Sequence, residues 1–517
     1  MTGDLLFILK PFLFLSKMFH KKTDNSFTNN HMKVSNFYGL KELLNQTLVF
    51  HVEGALLKTS SLFPYFMLVA FEAGGPLRAL ILLLLYPLIH LVGEEELGLK
   101  IMVFLSFFGI KEKSFKIGKT VLPKFFLEDV GYEGFMMVMR GGKRVGVTDL
   151  PRVMVDGFLT DFLGINKIVG RELKVAGGYF LGLMEETKAN NLNLNEILGN
   201  NNKKAGSDHV IGLGCSNNSL DKLLFSICKE VYLVTEAEKK NWQTLPREKY
   251  PKPLVFHDGR LAFRPTPFET LATFIWIPFG AFLCIFRFII AKLLPLKLSL
   301  PILSFTGMRS EVKKPNSFTT VPTKAEDKRG KLYVCNHKTV LDPIYVSLAI
   351  MKPANTITYS KIGLTELLFP VRTVRLTRDK EKDSKMLEQV LSRGEDIVVF
   401  PEGTTCSEPY LLSFSPLFAE LSDDQVVPIA IKTEVSMFHG TTNRGSKFLD
   451  LVFFLMNPSL TYSVAILEKL PRSFRGHGGE KSKCEIANLV QSEIAMALGF
   501  ESTCLSKKDK YIMLTRI

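Results

Sequence analysis

The chain has 517 residues, room for two to four domains, and its 46% apolar residues, 41 phenylalanines and mean hydropathy of +0.14 are rich for a soluble protein. A formal charge of +14 beside apolar runs points to an anionic membrane surface or phosphorylated substrates rather than nucleic acid, and no zinc-finger spacing or other DNA-binding module is present. The seven cysteines form no C-x-x-C pair, and an odd, dispersed set suits reduced thiols facing the cytosol.

Residues 1–35 read as a basic, apolar arm. Leu5–Leu15 is interrupted by Lys10 and Pro11 and is shorter than the roughly 20 residues that span a bilayer. It suits a membrane-surface arm or a targeting segment. Residues 36–260 alternate short strands and helices, which predicts an α/β domain. Within it lies a hydrophobic insertion at 61–110. Its runs Ser61–Phe71 and Leu77–Val92 are separated by Glu72–Pro76 and read either as an interfacial hairpin or as buried core helices.

Pro265 and Pro267 mark a boundary, and 261–309 reads as a membrane hairpin. Its first limb is Leu271–Ile290, with Trp276 and Arg287, and its second is Leu293–Phe305, with Pro295 and Lys297. The flanks Arg264, Lys292 and Lys297 are basic, as a cytoplasmic face requires. Ser310–Lys331 is polar and predicts an exposed loop.

A second α/β domain is expected over 310–505. Residues 331–334 read as a buried strand that Asn336 ends, placing His337 at its lip. Asp342 follows five positions later. Imidazole takes a proton near neutral pH, and a carboxylate on its far nitrogen sets the tautomer. Alone, H-x4-D reads sooner as a polar strand end followed by an unrelated Asp helix cap. Three further blocks decide the matter. Val374–Asp379 carries Arg375 and Arg378 near a strand end. In Asp396–Ser415 an apolar strand, Ile397–Phe400, stops at Pro401 before the polar turn Glu402, Gly403, Thr404, Thr405. Val426–Ile431 is a short apolar strand containing Pro428. Phe448–Leu455 reads as core or surface-binding, and residues 506–517 as a basic, mobile tail.

H-x4-D, an Arg block, E-G-T and an apolar Pro block, in that order, resemble the glycerolipid acyltransferase superfamily. The wording F-P-E-G-T-T-C followed by E-P-Y-L-L resembles the land-plant glycerol-3-phosphate sn-2-acyltransferases. The resemblance implies His337 as base and Asp342 as its orienting partner. It implies Arg378, with Arg375 as substitute, on the acceptor phosphate. Glu402, Gly403 and Thr404 would shape the acceptor pocket, and Pro428 counts among the substrate-binding positions. Acyl-CoA is then the co-substrate and no further cofactor is needed. Because coenzyme A leaves by itself, no covalent intermediate is required of Cys335 or Cys406. Two positions depart from the pattern: Ser407 and Ser413 stand where the family carries arginine, which leaves Arg378 and Lys338 to compensate.

The first domain resembles the haloacid-dehalogenase-like phosphatases. Gln46–Leu57 matches their D-x-D-G-T-L motif with His51 in place of the nucleophile and Glu53 in place of the second Asp. Thr148 falls where that family keeps a phosphate-binding hydroxyl. Gly214–Asp221 matches the magnesium motif with Cys215 in place of its first carboxylate. The expected fold is therefore two α/β domains joined by a membrane hairpin, the first catalytically silent and without a metal. The expected activity is transfer of an acyl group from acyl-CoA to glycerol 3-phosphate, probed against two alternatives: a lysophospholipid acyltransferase, and a non-catalytic membrane partner. The expected partners are the two substrates and membrane lipid. The catalytic domain would face the cytosol, at the endoplasmic reticulum or, alternatively, at a mitochondrial membrane.

Overall fold

A computed structural model describes residues 31–33, 37, 46–93, 96–165, 167–185, 210–215, 228–315, 329–358, 372–377, 379–416, 418, 426–441, 447–469 and 483–515. The apolar segment 5–15, Asp221 and Arg378 lie outside the described residues. The chain divides into two units, residues 1–254 with 264–272, and residues 255–263 with 273–516. The boundary expected at 260 is thus interleaved. Leu261 bridges to Phe438, and the Ala262 N–H donates to the Met437 carbonyl at 2.9 Å, which holds 255–263 in the second unit.

The first unit is built on a six-stranded parallel sheet. Its strands are β1 (His31–Lys33), β2 (Thr47–His51), β3 (Lys143–Val147), β4 (Lys167–Val169), β7 (Val210–Cys215) and β8 (Glu230–Val234), in the order β1-β8-β7-β2-β3-β4. The strands β5 (Leu173–Ala176) and β6 (Tyr179–Met184) form a separate antiparallel hairpin. β2 is buried along its whole length, as a parallel strand covered on both faces must be. The arm expected over 1–35 is shorter than that, since residues 31–33 form β1 and pair with β8.

The insertion is helical, and its helices differ in burial. The helix Phe63–Gly74 buries Phe63 through Ala70 and is core. The helices Pro76–Leu84 and Tyr86–Val92 instead expose Leu77, Ile81, Leu84, Leu88 and Leu91. Those positions recur at three- and four-residue intervals, an apolar stripe of helical period.

The second unit holds a seven-stranded sheet of β9 (Met308–Lys313), β10 (Leu332–Cys335), β11 (Asn355–Thr358), β12 (Arg372–Arg375), β13 (Ile397–Val399), β15 (Val426–Val435) and β16 (Leu460–Ile466). Their order is β12-β11-β13-β10-β15-β16-β9. The strands from β12 to β15 are mutually parallel, and β16 runs antiparallel to β15. The short strands β14 (Tyr410–Leu411) and β17 (Glu501–Ser502) pair apart from it.

Three expectations are corrected here, and a fourth, Phe448–Leu455 read as core or surface-binding, is borne out as core. The start of the predicted loop 310–331 is strand β9, a charged and exposed edge paired to β16; charge is how an edge strand stays soluble. The strand expected over 426–431 continues to Val435, where alternating burial replaces continuous burial as it pairs with β16. Phe448–Leu455 lies in the helix Lys447–Met456, which turns Leu451, Phe454 and Leu455 into the core. The tail is no mobile segment: Lys507–Thr515 is a helix whose N-terminus is capped by the Ser506 hydroxyl, with Asp509 reaching back to the Ser506 N–H at 2.8 Å. Such reciprocal capping satisfies two donors that the first helical turn leaves open.

The expected membrane limbs are both helical, over Pro267–Leu293 and Leu296–Phe305. Among the described residues, Pro267–Leu293 is the one helix long and apolar enough to cross a membrane. Only 11% of its most apolar window is buried in the protein, and Phe279, Phe282 and Ile285 are exposed. Arg287, near its end, is fully buried and donates to the carbonyls of Leu455 and Asn457, each at 2.8 Å.

Candidate functional site

Parallel α/β sheets collect chemistry at the carboxyl ends of their strands, and in the second unit the expected residues fall there. β10 ends at Cys335 and β13, its neighbour, ends at Val399. His337 and Glu402 emerge from the loops that follow. Asn336 extends the β10 ladder by one more rung: its side-chain N–H donates to the Ile431 carbonyl at 2.9 Å, and its amide oxygen accepts from the Ile431 N–H at 2.7 Å. The lip that carries His337 is thereby tied to β15.

His337 Nδ1 lies 2.9 Å from Asp342 Oδ2. Asp342 begins the helix Asp342–Ile350 and is fully buried. It accepts from the Lys338 N–H at 2.5 Å, the Thr339 N–H at 2.9 Å, the Thr339 hydroxyl at 3.1 Å and the Tyr462 hydroxyl at 3.2 Å. With donors all around it, the carboxylate acts only as an acceptor. The proton between the two groups therefore sits on Nδ1, and Nε2 keeps the lone pair a general base needs. Phe400 stacks on the imidazole at 4.5 Å and holds its plane. The His337 side chain keeps 21% of its surface exposed, so a substrate can reach it.

Glu402 is a brace for that lip. Its carboxylate accepts from the His337 N–H at 2.7 Å and from the Leu412 N–H at 3.0 Å. Burial pushes its pKa up to about 6 against the pull of those two N–H groups and of the Lys338 and His337 charges. Gly403 has φ +66, a left-handed conformation that glycine adopts without a Cβ penalty. Thr404 is buried beside it. The Cys406 N–H donates to the His337 carbonyl at 2.8 Å and closes the loop back onto the catalytic segment.

The cations are distributed differently from expectation. Arg375 ends β12 and is exposed, but β12 stands three strands from β10, roughly 14 Å at the usual strand spacing. Lys338 does not replace a missing arginine. It is buried, and its ammonium donates to the carbonyls of Ser407 at 3.1 Å and Glu408 at 2.8 Å. The C-terminal helix brings two lysines to the same loop. Lys510 is buried and donates to the Thr405 carbonyl. The stem of exposed Lys507 lies 3.6 Å from where a Cβ on Gly403 would stand. Ser407 is exposed and Ser413 half-buried.

Pro428 lies inside the sheet, buried and level with Val334, two residues below Asn336 in the register. Its carbonyl accepts from the Leu467 N–H at 2.9 Å. It supports β10 from within the layer. Cys335 and Cys406 are buried, and burial pushes the first thiol well up and the second to about 11. A thiol so protonated is a poor nucleophile.

In the first unit β2 ends at His51 and turns through Val52–Leu56, where Gly54 is required. A Cβ there would stand 2.7 Å from His51 Nδ1 and 2.9 Å from the Cys215 Cβ. Thr148 is not open to a phosphate: its hydroxyl donates to Glu53 Oε1, which also accepts from the Leu150 N–H at 3.3 Å. His51 Nε2 stands 3.1 Å from Glu53 Oε2 and 3.1 Å from Asp149 Oδ2. Burial opposes the imidazolium, yet hydrogen bonds and charge from Asp149 and Glu53 hold the His51 pKa well above its ordinary value. Lys239 donates to the Glu53 carbonyl at 2.9 Å, and Cys215 Sγ lies 3.7 Å from Glu236 Oε1. A magnesium ion asks for hard oxygen donors. Imidazole and thiol at His51 and Cys215 do not fit that ion, and no aspartate stands at His51 to attack phosphate.

Several contributors were invisible to motif reading. Tyr462 comes from β16, 120 residues beyond the Asp342 it contacts. Lys507 and Lys510 come from the segment read as a tail. Asp149 directly follows Thr148, so adjacency to that motif position is the local signal that marks it.

Two family models match. Residues 47–234 match "Glycerol-3-phosphate acyltransferase RAM2-like, HAD-like domain", and residues 312–432 match "Acyltransferase". A protein of Arabidopsis thaliana described as "Probable glycerol-3-phosphate acyltransferase 3" is 50% identical over 92% of this chain and 90% of its own length. "Probable glycerol-3-phosphate acyltransferase 2" of the same plant is 48% identical over 99% of this chain and 96% of its own. "Glycerol-3-phosphate acyltransferase RAM2" of Petunia hybrida is 39% identical over 89% and 95%.

Proposed function

The chain belongs to the plant glycerol-3-phosphate acyltransferase family, and from that premise we propose how its second unit works. It transfers a fatty acyl group from acyl-CoA to the sn-2 hydroxyl of glycerol 3-phosphate and releases lysophosphatidic acid. The observation that carries the reading is the His337–Asp342 pair at a strand lip, with Nε2 as the accepting atom. His337 Nε2 takes the hydroxyl proton as the alcohol oxygen attacks the thioester carbonyl. The tetrahedral adduct collapses, the C–S bond breaks, and the imidazolium returns its proton to the coenzyme A thiolate. Holding alcohol and thioester in contact is worth about 7–11 kcal/mol of the barrier.

Lys507 supports the acceptor site. It lies over Gly403, in the loop after β13, and β13 is one strand from β10, about 5 Å away. A three-carbon phosphate ester bridges such a gap. Lys507 then supplies charge that Ser407 and Ser413 lack, with Arg378 and Arg375 as further candidates for the phosphate. The likeness of F-P-E-G-T-T-C to the land-plant sn-2 enzymes supports the sn-2 hydroxyl. The exposed apolar helix Pro267–Leu293 with basic flanks supports membrane attachment, with the catalytic unit on the cytosolic face of the endoplasmic reticulum and membrane lipid as partner. The test is an assay of the purified protein in detergent with acyl-CoA and glycerol 3-phosphate, with a lysophospholipid as competing acceptor. Lysophosphatidic acid as the main product bears the reading out; acylation of the lysophospholipid alone, or of neither, refutes it.

A further inference from the structure

The silent phosphatase pocket of the first unit holds three converging donors. His51 is fully buried, Glu53 nearly so, and the Asp149 side chain is 15% exposed. His51 Nε2, Glu53 Oε2 and Asp149 Oδ2 lie within 4.8 Å of one another. Nε2 can carry a single proton, and its hydrogen bond goes to Asp149. Glu53 Oε2 is buried at the same 3.1 Å distance, and among the described residues no donor other than His51 reaches it. One Nε2 proton divided between buried Glu53 and part-exposed Asp149 leaves Glu53 short of donors, which is costly for a buried charge.

We propose that His51, Glu53 and Asp149 bind one divalent cation of the zinc class, in place of the magnesium that this fold's phosphatases use. An ion carrying two charges would replace the proton on Nε2 and neutralise both carboxylates. Imidazole nitrogen and carboxylate oxygen are zinc donors at about 2.0–2.2 Å, so that donors sharing an ion stand about 3–3.5 Å apart; the two His51 separations of 3.1 Å meet this, and Glu53 Oε2 and Asp149 Oδ2, within 4.8 Å of one another, would draw together on the ion. The surrounding groups orient the donors as metal sites require. The Thr148 hydroxyl and the Leu150 N–H occupy Glu53 Oε1 and leave Oε2 facing His51. Lys239 donates to the Glu53 carbonyl at 2.9 Å and pairs with Glu236 at 3.4 Å. The ion would clamp the end of β2 to the segment after β3, a structural role with no part in acyl transfer. Asp149 makes the difference from the metal-free pocket that the motif substitutions imply.

Full-length protein in detergent, stripped with chelator and dialysed, is titrated with zinc and separately with magnesium. Bound metal is counted by elemental analysis and thermal unfolding is followed in parallel. Wild type should retain one more equivalent of zinc than Asp149→Asn or Glu53→Gln, unfold at a higher temperature when zinc is present, and show neither effect with millimolar magnesium. At least a tenfold loss of zinc affinity is expected in each variant. Comparison with the variants removes zinc held by exposed Cys484 and Cys504. Should Glu53→Gln fail to fold, Asp149→Asn at the pocket rim carries the comparison. Equal zinc content in wild type and Asp149→Asn overturns the proposal, as does a magnesium shift equal to that of zinc.

Discussion

At the scale of the residue, the proposed acyl transfer turns on which nitrogen of His337 holds the proton, and buried Asp342 sets it. His337→Ala should lower kcat by about 10²–10⁴-fold, the usual worth of a positioned base. It should leave the melting temperature near wild type, because the ring is partly exposed; activity within tenfold of wild type would remove His337 from the mechanism. Glu402 predicts a pH effect of defined sign. Its folded pKa of about 6 exceeds the ordinary 4.5, so the folded state holds the proton more tightly than the unfolded chain. The stability it contributes is present below pH 4.5 and is lost as pH rises through 6. The difference amounts to about 2 kcal/mol over that window. Denaturant melts from pH 4.5 to 7 should show this slope in wild type and not in Glu402→Gln, in which one backbone N–H also faces an amide.

At the scale of the element, the C-terminal helix is a working part of the acyltransferase unit. Ser506 and Asp509 start it, Lys510 fastens it to Thr405, and Lys507 is left beside Gly403. Lys507→Met should raise the KM for glycerol 3-phosphate severalfold to tenfold, matching the loss of about 1.5 kcal/mol for one charged hydrogen bond, and leave the KM for acyl-CoA in place. Lys507→Arg should restore it; equal effects on both substrates would take Lys507 away from the phosphate. The helix Pro267–Leu293 makes a separate prediction. Replacing exposed Phe279 and Phe282 by lysine puts charge on the apolar face proposed to meet lipid, at about 2.5–3.5 kcal/mol per residue near a bilayer centre. Flotation with vesicles should drop sharply, and unchanged flotation would show that another segment anchors the chain.

At the scale of the whole molecule, two α/β units share one chain, and the first carries histidine at the position where phosphatases of its fold carry the nucleophilic aspartate. Without an aspartate at position 51, no aspartyl-phosphate can form, and restoring a single position leaves the other changes in place. Labelled glycerol 3-phosphate supplied with acyl-CoA should therefore emerge as lysophosphatidic acid with its phosphate retained. Monoacylglycerol formed at the rate of acyl transfer would show a working phosphatase in the first unit.

Local sequence determined the two α/β units, the strand before His337, the turn at Glu402–Thr405 and the loss of the phosphatase nucleophile. Each is written within a dozen consecutive residues, as periodicity, a glycine or a substituted motif position, and such short-range signals need no partner to be read. What tertiary structure decided are contacts between distant segments: Tyr462 on Asp342, Asn336 on Ile431, Lys507 over Gly403, Asp149 against His51. The same lysine-rich composition serves a frayed tail and a docked helix; burial of Lys510 and Leu514 chose the helix. Lys338 is a cation beside the motif in sequence, and only the fold shows its charge spent on two backbone carbonyls. Hydrogen bonding and burial are satisfied in three dimensions, and residues far apart in the chain compete for the same partner until the sheet order brings one of them near.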